Sequence, residues 1–267
     1  MEVIGYLASI LIGISLGLIG SGGSILTVPL LVYFFHVSPL LATTYSLAIV
    51  GLSSIAGVIS RLKQKLVDFK TIFIFGIPSI MGVFSSRKFL LPAIPELIYD
   101  GPAILVTKNH FIMLFFATLM FIAALSMILG KNKEEQEGVL PVYGFTLMLV
   151  GLAEGLLTGI VGAGGGFLII PALVLLAKLP MKNAIATSLV IISIKSLVGF
   201  TGDLLHTSVD WSFLSKIILL ATTGIITGNY LNKKIDGAKL KKGFGFFVLA
   251  MAFIIFIEQF FFSNLIN

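Results

Sequence analysis

Two charged residues, Lys195 and Glu154, lie inside long apolar stretches of the sequence, where charge is rare. A charged side chain within a membrane span is energetically expensive and usually serves a function. Lys195 could supply the counter-charge for an anionic substrate, and Glu154 could carry a proton or neutralise Lys195. The alternative is a buried Lys195–Glu154 ion pair with no part in the chemistry. Further along, Asp203 and His206 could relay protons at the outer end of the same span, or could lie in a solvated loop.

Two glycine clusters, at residues 20–24 (Gly-Ser-Gly-Gly-Ser) and 162–166 (Gly-Ala-Gly-Gly-Gly), interrupt apolar runs of membrane-spanning length. Glycine is weak in helices, so each cluster predicts a break in a helix. Such a break at bilayer depth is tolerated only where it is buried in protein or lines a cavity. We expect the helices to restart at Ile25 and Phe167. There, backbone N–H groups and the positive end of the helix dipole would bind a small anion without a charged side chain.

Polar residues in the clusters and at the starts of the following helices complete the predicted anion site. The predicted substrate-binding residues are Ser21, Gly22, Gly23, Ser24, Thr43, Thr44, Ser46, Gly164, Gly165, Gly166, Thr187, Ser188 and Lys195. No catalytic residue, metal ligand or cofactor is predicted. The glycine clusters could instead serve close helix packing, as we expect for the pairs Gly13/Gly17 and Gly155/Gly159. A phosphate-binding loop is disfavoured because no Lys-Ser or Lys-Thr follows the first cluster.

The composition of the chain indicates which elements hold these residues. Of the 267 residues, 57% are hydrophobic and only 11% are charged, whereas a soluble domain carries about a quarter charged residues. Apolar runs of about 20 residues recur along the chain, which predicts an all-α polytopic membrane protein in contact with the lipid bilayer. The net charge is +6, and the basic residues sit in short connections between apolar runs. Positive-inside topology explains that placement, so we expect no nucleic acid as a partner.

The two halves of the chain repeat one another at an offset of 142 residues. The offset places five glycines in and before the first cluster on five glycines in and before the second, and no gap is needed. Other aligned pairs are Pro29/Pro171, Ala42/Ala184, Ser46/Ser188, Ser54/Ser196, Gly57/Gly199, Asp68/Asp210 and Gly82/Gly224. The predicted organisation is a first transmembrane repeat over 1–130, a polar linker at 131–138 and a second repeat over 139–267. Within the first repeat, residues 92–109 predict an irregular loop.

The distribution of charge predicts that the two repeats are inverted relative to one another. The connection 61–70 holds four basic residues and one acid, whereas its equivalent 203–210 holds two aspartates and a histidine. Loops of such different charge should lie on opposite sides of the membrane. Inversion follows if each glycine-broken segment is a hairpin and three spans come after it; eight simple crossings with parallel repeats is the alternative. Asp68 and Asp210 are predicted to cap the helices that they precede.

One sequence pattern occurs in both repeats, at 13–68 and at 155–210. It reads Gly-Xaa3-Gly-Xaa2-Gly-Xaa-Gly-Gly, followed by Pro-Xaa-Leu, Ala-Xaa3-Ser-Leu and Val-Asp. This doubled pattern resembles the sulfite exporter TauE/SafE family of membrane transporters, and the resemblance covers nearly the whole chain. It implies a multi-pass carrier of the prokaryotic cytoplasmic membrane for sulfite, sulfoacetate or a related small anion. It implies no role for Lys195 or Glu154.

These observations favour a secondary carrier, by the resemblance an exporter, for a small organosulfur or carboxylate anion held at the two broken helices. The alternative is a cation- or proton-conducting carrier or channel that uses Glu154 and Asp203, since the helix end before each break would attract cations. A membrane enzyme is disfavoured because the sequence has three histidines and no His-Glu-Xaa-Xaa-His motif. A scaffold without a transported ligand and a homo-oligomer both stay open.

Overall fold

The computed structural model describes residues 2–100, 105–129, 144–204, 207–231 and 237–259, so the predicted linker at 131–138 lies outside the described residues. Helices dominate the described part. They are α1 (Glu2–Ile19), α2 (Thr27–Phe35), α3 (Pro39–Lys63), α4 (Phe69–Ala93), α5 (Lys108–Leu129), α6 (Gly144–Val161), α7 (Gly166–Leu175), α8 (Met181–Asp203), α9 (Trp211–Leu231) and α10 (Gly237–Ile257). Six of these helices, α3, α4, α5, α6, α8 and α9, are long and apolar enough to cross a membrane. The predicted helical, polytopic membrane protein is confirmed.

A short antiparallel hairpin of strands β1 (Leu97–Asp100) and β2 (Leu105–Thr107) occupies part of the segment that we predicted to be an irregular loop. The two strands carry the sequences Leu-Ile-Tyr-Asp and Leu-Val-Thr, in which branched and aromatic residues favour strands. The prolines before them end α4 but leave these few residues free to pair. The loop prediction was therefore wrong for this stretch.

The first glycine cluster joins α1 to α2 through a 3₁₀ helix, Gly20–Leu26. Gly20 has a φ of +74°, a conformation that residues with a Cβ rarely adopt. The chain then reverses direction. The contact between Tyr6 and Phe35 shows this, since their rings meet edge to face with centroids 5.2 Å apart. Helices α1 and α2 therefore form a hairpin, and α2 begins at Thr27, two residues after the predicted restart.

The second glycine cluster breaks the chain more sharply. Helix α6 ends at Val161 and α7 begins at Gly166, one residue before the predicted restart. Between them, Gly162, Gly164 and Gly165 have φ values of +69°, +64° and +72°. Three left-handed residues within four positions cannot continue a right-handed helix. The predicted helix break is confirmed here, and we call residues 162–165 the second break.

The first helix of each hairpin packs against a long helix from the other half of the chain. Helix α1 lies along α9, where a Cβ on Gly13 would collide with the backbone of Ala221. Helix α6 lies along α4 in the same manner, where a Cβ on Gly155 would collide with the backbone of Ser79. Gly13 and Gly155 are equivalent positions in the sequence repeat. Their predicted role in close helix packing is confirmed.

Helices α3 and α8, the most buried of the six candidate spans, pack against one another. Thr44 near the start of α3 contacts Asp203 at the end of α8. In the middle of both helices, the hydroxyl of Ser193 donates to the carbonyl of Gly51 over 3.2 Å. These contacts mean that α3 and α8, which occupy equivalent positions in the sequence repeat, run antiparallel.

Reciprocal hydrogen bonds tie the two halves together at equivalent positions. The backbone N–H of Asp68 donates to the Thr187 hydroxyl, and the N–H of Asp210 donates to the Tyr45 hydroxyl, each over 2.9 Å. Tyr45 and Thr187 are again 142 residues apart. Each aspartate carboxylate also accepts a hydrogen bond from the N–H three residues later, at 2.7 and 3.0 Å. The predicted helix caps at both aspartates are confirmed.

Candidate functional site

Lys195 and Glu154 form an ion pair in the interior of the protein. The Lys195 Nζ atom lies 2.5 Å from Glu154 Oε1, and the Lys195 and Glu154 residues are 0% and 5% exposed. The Ser79 hydroxyl donates to the other carboxylate oxygen over 2.6 Å, and the Thr158 hydroxyl lies 3.3 Å from the ammonium. The two charges therefore neutralise one another, with hydroxyl groups completing their hydrogen bonds. Of the roles considered for Glu154, neutralisation of Lys195 is the one that this geometry shows.

The ion pair lies directly against the second break. A Cβ built on Gly165 would overlap the Glu154 carboxylate and would come within 2.6 Å of Lys195 Nζ. Two constraints therefore require glycine at position 165: its positive φ, and the charged groups that a side chain would overlap. Gly164, one residue earlier, faces the hydroxyl of Ser196, which is buried and has no hydrogen-bond partner among the described residues.

A second buried ion pair joins Arg87 of α4 to Asp203 of α8. The Arg87 Nη1 atom lies 2.8 Å from Asp203 Oδ2 and 3.0 Å from the Thr43 hydroxyl. The Thr44 hydroxyl donates to the same carboxylate oxygen over 2.7 Å. Asp203 is 8% exposed, so its predicted place in a solvated loop was wrong. His206, the other residue of that prediction, lies outside the described residues.

Arg87 has nitrogen atoms that donate no hydrogen bond to any described residue. The residue is 2% exposed, yet among the described residues its Nε and Nη2 atoms have no hydrogen-bond partner. Buried donors are almost always satisfied, so two open ones on a charged group indicate a place for an acceptor. The Nη2 atom also borders the second break, because a Cβ on Gly162 would overlap it.

Sequence reasoning missed Arg87 because it stands beside Lys88 after the apolar run 71–84, where it was counted with the basic residues of the connections between spans. Helix α4 instead continues to Ala93 through a π-helical stretch, Ser86–Leu90. A π-turn shifts the register of side chains and is common at functional sites. The apolar residues that follow at 89–91 were the available signal that the helix goes on.

One member of each ion pair lies on α8, Lys195 near its middle and Asp203 at its end. Eight residues separate Lys195 from Asp203 along α8, which corresponds to a rise of about 12 Å. The second break spans that distance, since Gly165 touches the first pair and Gly162 borders the second. Helices α3, α4, α6 and α8 and the second break thus enclose one polar region that holds both ion pairs.

The other predicted binding residues are only partly brought to this region. Thr43, Thr44, Gly164 and Gly165 belong to it. Thr187 is engaged with the start of α4, and the Ser188 hydroxyl donates to the carbonyl of Ile185. The remaining members of the prediction are Ser21, Gly22, Gly23, Ser24, Ser46 and Gly166. The backbone of residues 21–24 lies in the first 3₁₀ helix, Ser24 and Ser46 are buried, and Gly166 begins α7.

The polar groups around Lys195 are not duplicated at the equivalent positions of the repeat. The equivalents of Glu154, Thr158 and Lys195 are Ile12, Leu16 and Ser53, and Ser79 corresponds to Ala221. The repeat itself therefore does not require the Lys195–Glu154 pair. A charged pair that the repeat does not require, buried among membrane-spanning helices, is expected to have a function.

A bundle of membrane-spanning helices, interrupted at two glycine clusters of which the second borders a buried polar region, is the architecture of a polytopic membrane transporter. The family model "Sulfite exporter TauE/SafE" matches residues 5–255, and the chain belongs to this family. It is a multi-pass membrane transporter of the cell membrane. The family resemblance noted from the doubled glycine pattern is confirmed.

Curated relatives carry the same general description. A "Probable membrane transporter protein" of Xylella fastidiosa (strain 9a5c) is 31% identical over 91% of this chain and 90% of its own length. The "Probable membrane transporter protein YunE" of Bacillus subtilis (strain 168) is 28% identical over 82% of this chain and 84% of its own length. No solved structure matches the chain.

Proposed function

We propose that the protein is a secondary carrier that exports a small oxyanion, and that the anion binds at the second break between Arg87 and Lys195. Sulfite, sulfoacetate and other small organosulfur or carboxylate anions are the substrate class. The observation that carries this proposal is the pair of open donors on the buried Arg87 side chain.

The chemistry of those donors supports an oxyanion. The Nε–H group and one Nη2–H group of an arginine point from the same edge of the guanidinium, so they can hold two oxygens of one carboxylate, sulfite or sulfonate. Asp203 and Thr43 occupy only the Nη1 side. The Nε and Nη2 donors of Arg87 are thus available to an anion, and the hydrogen bonds at Nη1 fix their orientation.

Lys195 is the proposed second contact for the anion. With Glu154 ionised, the ammonium is neutralised and holds an anion weakly. A proton taken up by Glu154 would leave the charge of Lys195 unbalanced, and a small anion could then replace the carboxylate as its counter-charge. Proton and anion would then cross the membrane together, and export would follow the outward concentration gradient of the anion, which requires no nucleotide-binding loop.

The alternative of a cation pathway through Glu154 and Asp203 has less support. Each carboxylate is already engaged by a basic side chain, Lys195 or Arg87. A cation would have to displace a tethered ammonium or guanidinium in a buried site.

We also propose that the carrier consists of two inverted repeats, over 1–130 and 139–267, each with a hairpin followed by three further helices. The antiparallel contact between α3 and α8 supports this, because equivalent helices of parallel repeats would run in the same direction. The reciprocal hydrogen bonds of Asp68 and Asp210 agree with a two-fold axis in the membrane plane.

Anion exchange in liposomes tests the proposal. Purified protein is reconstituted into liposomes loaded with sulfite or sulfoacetate, and uptake of the same labelled anion is followed. We expect saturable exchange by the wild type and at least about a tenfold loss in Arg87→Gln, since a charge-assisted bidentate contact is removed. The matched control is Lys88→Gln, which removes a neighbouring but exposed charge and should leave exchange intact. Equal exchange by both variants, or none by the wild type, would overturn the proposal.

A further inference from the structure

A third buried cation, Arg61, lies in the last turn of α3. We predicted a basic loop from residue 61 onward, but α3 continues to Lys63 and Arg61 is only 6% exposed, whereas Lys63 and Lys65 are exposed. Among the described residues, no acid lies within ion-pair distance of Arg61. Its Nη2 atom donates to Asn229 Oδ1 over 3.5 Å, a weak hydrogen bond. Its Nε atom has no partner in the described part of the chain.

The sequence repeat relates this place to the Arg87–Asp203 pair. Adding 142 to Arg61 gives Asp203, and adding 142 to Arg87 gives Asn229. The same two repeat positions are therefore in contact twice, once as Arg61 with Asn229 and once as Asp203 with Arg87. The arginine occupies a different one of the two positions in each contact. In one half it faces a carboxylate, and in the other it faces a neutral amide. The Arg61–Asn229 pair is left with one uncompensated positive charge.

Asn229 and Arg87 each lie near glycines of the repeat. The backbone of Asn229 lies against Gly17, one turn before the first 3₁₀ helix, and its side chain lies near Gly57. The guanidinium of Arg87 borders Gly162, whose equivalent in the first half is Gly20. The two sites occupy opposite ends of α3, because 17 residues separate Thr44, at the Arg87 end, from Arg61. That separation corresponds to about 26 Å of helix, most of a bilayer's apolar thickness.

We propose that Arg61 and Asn229 form a second binding site for a small oxyanion, at the end of the protein opposite Arg87. The bound anion supplies the counter-charge that Asp203 supplies to Arg87, and the open Nε donor and the Asn229 amide complete its hydrogen bonds. A role for this site in export depends on the proposed transport function, whereas the binding itself does not.

The test measures anion binding in a protein from which the Arg87 site has been removed. Arg87→Gln protein in nanodiscs of uncharged lipid is titrated calorimetrically with sulfite and with sulfoacetate. We expect one saturable site, against two in the wild type. Adding Arg61→Gln should weaken that site by at least about tenfold, while adding Lys63→Gln, an exposed charge in the same helical turn, should not.

A second variant tests the site in case Arg61→Gln protein misfolds. Asn229→Asp places a carboxylate next to Arg61, in imitation of Asp203, so the arginine stays satisfied and the fold is kept. In the Arg87→Gln background this change should also weaken the remaining binding by at least about tenfold, because a carboxylate that repels the anion replaces the amide of Asn229 that contacts it.

The outcomes separate the two proposals. Loss of all binding in Arg87→Gln, with one site in the wild type, would overturn the Arg61 site and leave the Arg87 site standing. Binding in Arg87→Gln that survives both Arg61→Gln and Asn229→Asp would also overturn the Arg61 site. No binding of either anion by the wild type would contradict both proposals.

Discussion

Replacing Lys195 with methionine removes one partner of a buried ion pair. The Glu154 carboxylate, 5% exposed, would keep the Ser79 hydroxyl but lose its counter-charge. Breaking a buried pair in this way costs about 3–5 kcal/mol of stability, whereas replacing both partners by neutral groups is often close to neutral. We therefore expect Lys195→Met to be strongly destabilised and the double variant Glu154→Gln/Lys195→Met to regain most of the loss. The equivalent positions in the other half, Ile12 and Ser53, carry no charge.

The assay is unfolding in mixed micelles, followed by the fluorescence of Trp211, the single tryptophan. Its ring packs edge to face on Phe200, with centroids 6.1 Å apart, so separation of α8 from α9 should change the signal. The same proteins are then tested for anion exchange. We expect the double variant to be stable but inactive. A cost below about 1 kcal/mol for Lys195→Met would refute the buried pair, and full exchange by the double variant would reduce the pair to a structural role.

Two further predictions concern the second break and the topology. Gly165→Ala should cost about 1–2 kcal/mol from the positive φ alone, and it should abolish exchange because the new methyl group displaces the ion pair. Gly202→Ala, whose methyl group would make only ordinary contacts, is its control; equal activity of the two variants would contradict the role of the break. In a chain without native cysteine, Gln64→Cys and Ser208→Cys should react with an impermeant thiol reagent from opposite sides of the membrane. Reaction of both from the same side would end the inverted-repeat proposal.

Much of the architecture could be predicted from the sequence because its causes are local. Hydropathy revealed the spans, and the glycine clusters revealed the breaks, since positive φ values leave little choice of residue. The ion pair of Lys195 and Glu154 followed from the high cost of charge in an apolar span, which two opposite charges can share.

The residues that were missed depend on contacts between distant segments. Arg87 and Arg61 each follow an apolar run and stand near other basic residues. The positive-inside rule therefore placed both in the connections between spans. Only the packing of α4 against α8, and of α3 against α9, buries them. A solvated loop was one of the two alternatives for Asp203 for the same reason, because its partner lies 116 positions earlier in the chain.

The most direct test of the central claim compares anions with cations as ligands of the purified wild type. A ligand that binds only the folded state raises the unfolding temperature in a saturable manner. Sulfite, sulfoacetate, thiosulfate and acetate are compared with sodium, potassium and nickel salts at matched ionic strength, and Arg87→Gln is measured beside the wild type. We predict saturable stabilisation by at least one of the anions and its loss in Arg87→Gln. Stabilisation by a cation alone, unchanged in Arg87→Gln, would contradict an anion carrier and would direct attention to Glu154 and Asp203.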